Sequence, residues 1–136
     1  MMTQIRNVLE IFGIVFLRFR YLARIWNVWL VGVNMGCLYF IQHVEAQVVL
    51  ATTLIAVVGQ GVIYNRIGFT RLLGITHIMW VPMFVWMGTR LEAIAAQPEL
   101  ATWLAVLLAT NIGSMIIDAT DVRRYFRGER APHYAW

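Results

Sequence analysis

Pro98–Arg124 reads PELATWLAVLLATNIGSMIIDATDVRR, and its periodicity decides how the rest of the chain is understood. At about 3.6 residues per helical turn, Ala101, Ala105, Ala109 and Gly113 recur every four positions and form one smooth edge. Another helix backbone can approach such an edge closely. Asn111, Ser114 and Asp118 form a second stripe. At about 100° per residue it lies roughly opposite the small-residue edge, and Trp103, Leu107 and Asp121 extend it towards both ends. A helix with two such faces has two partners to satisfy.

The composition outside this stretch is equally skewed. Of 136 residues, 60% are hydrophobic and 13% charged, outside the balance of a soluble globular domain. Four apolar stretches, roughly 25–41, 47–64, 71–90 and 99–118, are each long enough to cross a hydrocarbon core of about 30 Å at about 1.5 Å per residue. The expectation is an all-α integral membrane protein, one antiparallel bundle of four transmembrane helices formed by residues 1–136. The early apolar run Ile11–Leu17 is followed by Arg18 and Arg20 and has no small-residue cleavage site, so the N-terminus is expected to be retained. The single cysteine, Cys37, lies within the first apolar stretch and cannot form an intrachain disulfide relay.

The net charge of +4 comes from eleven cationic residues, all arginine. Ten fall on one side of the four-span topology and Arg90 falls alone on the other. The positive-inside bias then predicts both termini on the cytoplasmic side of a bacterial inner membrane. This distribution argues against a nucleic-acid partner. Arg18, Arg20, Arg24, Arg123, Arg124 and Arg127 are expected to contact anionic lipid headgroups, at about 1 kcal/mol for each residue near the surface.

In chain order, residues 1–20 mix apolar residues with Arg6, Glu10, Arg18 and Arg20 and predict an amphipathic helix lying in the interface. The first span carries Gly32 and Gly36 at GxxxG spacing, a second close-packing edge, with Asn27 and Asn34 on the other face. The short turn from Gln42 to Ala46 makes the first two spans antiparallel neighbours and holds His43 and Glu45 near water. In the second span Thr53, Ala56, Gln60 and Tyr64 share a face, and Gly59 with Gly61 loosens the helix. The third span contains Pro82, which should free the Ile78 carbonyl and kink the helix. Residues 123–136 read as a basic tail.

Counting inward from each basic boundary puts Gln60, His77 and Asp118 in one layer about 6–9 Å deep, with Ser114 a turn deeper and Asn34 and Asn111 near the midplane. An aspartate within a span costs about 2.5–3.5 kcal/mol on insertion scales and is usually turned inward and paired. Asp118 and His77 are a natural pair, and their meeting would create a proton-accepting site. The plainer arrangement has Asp118 bonded to Ser114, water or Arg124, and His77 serving in packing. The three histidines do not supply a level pair of haem ligands, and no zinc spacing, phosphate loop or HExxH occurs. The sequence therefore indicates no cofactor, metal site or enzyme. It points to an accessory or assembly subunit of a larger membrane complex. The alternative is a small homo-oligomeric transporter or proton-coupled channel with Gln60, His77 and Asp118 at its cytoplasmic entrance.

Overall fold

The computed structural model describes residues 2–136 and, among them, contains helices and no strand. Helix α1 spans Met2–Gly13 and runs through a π-helical turn, Ile14–Arg18, towards α2, Tyr21–Met35, which ends in a 3-10 turn, Gly36–Leu38. Helix α3 covers Val44–Ile67. A 3-10 segment, Arg71–Met79, continues as α4, Trp80–Gly88, and a short α5, Leu91–Ala95, precedes α6, Pro98–Phe126. Helices α3 and α6 are long and apolar enough to cross a membrane. Helix α1, the tail after α6 and the Gly68–Thr70 link gather at one end of the bundle, the tail end, and the turns at 39–43 and 89–97 form the other.

Helix α6 is bounded by recognisable signals. Pro98 occupies its first turn with Glu99, and Arg123 and Arg124 lie in its last, matching the helix dipole at both ends. Past Phe126 the chain closes a Schellman turn. Gly128, at φ 114°, donates to the Tyr125 carbonyl at 3.1 Å, and the Glu129 N–H donates to Arg124 O at 3.1 Å. The helix thus outlasts the apolar run, and the turn sends the tail back across the bundle.

The core lies in the half away from the tails. Leu100, Leu104 and Leu107 of α6 pack with Val49, Met83 and Met87, and Leu107 and Val49 are wholly buried. At this end Arg90 Nε donates to Glu45 Oε1 at 2.7 Å and its guanidinium lies over the Trp86 ring. Glu45, expected near water, is 3% exposed; the arginine on the facing turn offsets its desolvation.

Two other segments take a more specific form than the sequence suggested. Near Pro82 the winding changes from 3-10 to α at Met79–Trp80, so the proline falls in the first turn of α4. Helix α1 also packs on α3. Its Asn7 is buried and donates to Gly61 O (3.4 Å) and Asn65 Oδ1 (3.2 Å) of α3, while Met2, Ile5 and Leu9 are exposed. Gly61 leaves the room that Gln4 and Val8 fill, and α3 stays helical through both glycines.

Candidate functional site

Three elements converge on one histidine. Asp118 of α6 lies with Oδ2 2.7 Å from His77 Nδ1, and Gln60 of α3 has its amide nitrogen 3.1 Å from His77 Nε2. The side chains of His77 and Asp118 are 16% and 21% exposed. The Trp80 indole stacks on the imidazole, centroids 4.2 Å apart and planes 5° from parallel.

The winding of the 3-10 segment explains how this assembles. Residues three apart eclipse one another in a 3-10 helix, so Arg71, Gly74, His77 and Trp80 form one line. Under α winding each step of three would rotate by about 60°, and the four could not face α6 together. Arg71 pairs with Asp121, Gly74 lies against Asp118, and His77 bonds Asp118. A Cβ on Gly74 would come within 2.8 Å of the Asp118 Cβ and Cγ, so the close approach requires glycine.

The hydrogen bonds define a consistent protonation pattern. With Nδ1–H donating to the Asp118 carboxylate, neutral His77 presents Nε2 as an acceptor to the Gln60 amide. Protonation at Nε2 would turn that nitrogen into a donor, which Gln60 can meet by turning its carbonyl oxygen inward. The imidazole is thus bonded through both ring nitrogens and stacked on one face by Trp80.

Deeper along α6, Asn111 and Asn34 of α2 exchange two hydrogen bonds, of 2.9 and 3.2 Å, and Asn34 also donates to Leu30 O at 2.9 Å. Ser114, buried, lies between this pair and Asp118 along α6. The polar column runs from Asp121 to Asn111 and stops at Leu107, where the apolar core begins.

The small-residue positions divide. Ala105 and Ala109 are exposed, Ala101 is half-buried, and no atom lies within 4 Å of a Cβ built on Gly32. Gly36 and Gly113 do make contacts, but with the Trp103 and Trp26 rings rather than with a helix backbone. An indole fills the groove that the glycines open, and Trp103 Nε1 donates to the Val33 carbonyl at 2.9 Å.

The arginines divide as well. Arg18, Arg20, Arg123 and Arg127 are exposed. Arg24 instead donates to the Leu17 and Phe19 carbonyls, at 2.8 and 3.2 Å, and Arg124 is held by Glu129. Glu129 also lies 3.3 Å from Arg71. The hydrogen bond from Arg124 holds the Glu129 carboxyl below its ordinary range. His133, whose backbone N–H donates to Phe69 O at 2.9 Å, has its imidazole held below the usual value, first by burial and then by the Arg71 charge. Among the described residues no group of three or more His, Cys, Asp or Glu could hold a metal ion.

Sequence reasoning missed Arg71 as the partner of Asp121, Gly74 as the seat of Asp118 and Trp80 as the ring stacked on His77, and it missed the Glu45–Arg90 pair. The three-residue spacing 71, 74, 77, 80 is the signal that could have exposed the first set. Comparison with known proteins yields no match: no family model, curated protein or solved structure is significantly similar to this chain.

Proposed function

We propose that this protein is a four-crossing accessory or assembly subunit of a larger complex in a bacterial inner membrane, with the tail end cytoplasmic. Helix α2 with its 3-10 turn reaches about 28 Å, and the 3-10 segment with α4 about 31 Å, lengths that suit a hydrocarbon core as α3 and α6 do. Exposed Leu22, Val85 and Ile116 on three different helices support lipid around the bundle. The observation that carries the assembly reading is the outward edge of α6, where Ala105 and Ala109 have no helix of this chain upon them. The apolar core beyond Asn111 adds support, because it leaves a single copy without a continuous polar route from end to end.

Purification in mild detergent tests this reading. A heterologous membrane complex should accompany the protein, and Ala109→Leu should release it while the isolated chain stays folded. Purification as a homo-oligomer alone would overturn the assembly reading. The Gln60–His77–Asp118 chain favours a second reading, a proton-coupled homo-oligomeric transporter. In that case Asp118→Asn should abolish a pH-dependent flux in liposomes at unchanged folded yield, because the amide keeps the shape and cannot titrate.

A further inference from the structure

A second site lies apart from this column, where the tail folds against α1. Tyr64, Phe69, Tyr134 and Trp136 line a cavity of about 340 Å³ together with the carboxylate-bearing Glu10, a volume at the small end of ligand pockets, about 300–1,000 Å³. The cavity is built by named contacts. The Phe69 and Tyr134 rings meet edge to face, 5.8 Å apart, and the backbones at Phe69 and Tyr134 form an antiparallel bridge. Gly13 seats the Trp136 ring, since a Cβ there would come within 2.9 Å of three of its atoms. Tyr64 donates its hydroxyl to Glu10 Oε2 at 2.9 Å and so orients the carboxylate.

We propose that this cavity binds an organic cation, a quaternary ammonium or a protonated amine. Aromatic rings present negative faces to a cation, Glu10 adds a full charge, and no lysine or arginine lines the walls. An anion would meet repulsion here. A bare metal ion would find one carboxylate where it needs several oxygen ligands, whereas an alkylammonium gains from apolar and aromatic walls. The neighbouring competitor is Arg6, whose Nε lies 3.6 Å from Glu10 Oε1 but whose side chain is 70% exposed. The ammonium could belong to a soluble molecule or to an amine-bearing lipid headgroup, and the chemistry of recognition is the same.

The full chain in nanodiscs of phosphatidylglycerol is titrated with tetramethylammonium chloride and, at equal ionic strength, with sodium chloride. Tryptophan fluorescence is read, with Trp136→Phe separating this indole from the rest. Saturable quenching by tetramethylammonium alone is expected. Glu10→Gln should weaken it about tenfold, and Tyr134→Leu, which keeps the Trp136 reporter, by a similar factor, the scale of one desolvated cation–π contact. Arg6→Gln should strengthen it by removing the competing charge. Gly13→Leu should also weaken binding, by displacing the Trp136 ring with Glu10 intact, so the proposal stays testable if one variant fails to fold. Loss of apparent affinity in nanodiscs of phosphatidylethanolamine would identify the lipid headgroup as an occupant, and unchanged affinity there would identify a soluble amine. Equal responses to the two salts, or unchanged affinity in both Glu10→Gln and Tyr134→Leu, would overturn the proposal.

Discussion

Gly74 shows what a single missing methyl group does in this protein. Its absence lets the 3-10 segment touch α6 at Asp118, and a Cβ would fall within 2.8 Å of two carbon atoms there. Gly74→Ala should therefore separate His77 from Asp118 and lower the unfolding temperature in detergent, whereas Gly88→Ala, at a position with open space, should leave it almost unchanged. Equal melting of the two variants would count against the close approach. The reciprocal Asn34–Asn111 bonds make a second residue-scale prediction. Asn111→Leu strands a buried amide and should cost about 1–3 kcal/mol. The double variant with Asn34→Leu should recover part of that loss, because two apolar side chains leave nothing unpaired. Additive losses in a double-mutant cycle would show that the pair does not act as a unit.

At the scale of the element, the tail beyond α6 is held by groups that respond to acid in the same direction. Glu129 has its carboxyl lowered by the Arg124 hydrogen bond, so its contribution is present above the ordinary carboxylate range and disappears as pH falls towards the folded value. His133 is lowered by burial and by Arg71, so the folded tail favours the neutral ring and loses stability as pH falls below about 6.5, the ordinary imidazole value. Both signs release the tail on acidification. Hydrogen exchange of residues 129–136 should be slow at pH 7.5 and faster, after correction for intrinsic rates, at pH 4.5. Protection that grows with acid would contradict the Arg124–Glu129 and His133 assignments. High salt should weaken the exposed Glu129 contribution more than the Phe19–Phe69–Tyr134 ring contacts.

Taken whole, the molecule carries a polar column along its axis at the tail end and an apolar core towards the other, which the Glu45–Arg90 pair closes. In the proposed orientation the column of Asp121, Asp118, Ser114 and Asn111 faces the cytoplasm and ends blindly at Leu107. Leu107→Ala should destabilise the bundle by about 2–5 kcal/mol without affecting a partner's binding, the converse of Ala109→Leu. Reporter fusions at residue 136 and within 91–97 should fall in opposite compartments only if α6 crosses the membrane; a shared compartment would remove the four-crossing proposal.

How much of this was legible beforehand follows from what periodicity can carry. Hydropathy and spacing determined the helical class, the apolar stretches, the opposition of the small and polar faces of α6, and the common depth of Gln60, His77 and Asp118, because helical winding converts sequence separation into angle and height. The end of α6 was not legible in the same way: residues 123–136 read as a basic tail, whereas the helix continues to Phe126 and closes at Gly128. The tertiary structure alone decided that His77 meets Asp118 and that Arg71 meets Asp121. Depth gives no rotation of one helix about another, and apolar spacing does not say that 71–79 winds as a 3-10 helix. It also decided that Gly36 and Gly113 receive indole rings, that Glu45 is buried against Arg90, and that α1 and the tail pack on the bundle. These depend on which side chain reaches a gap or a charge across the fold, and residues far apart in sequence do not announce that they will be neighbours.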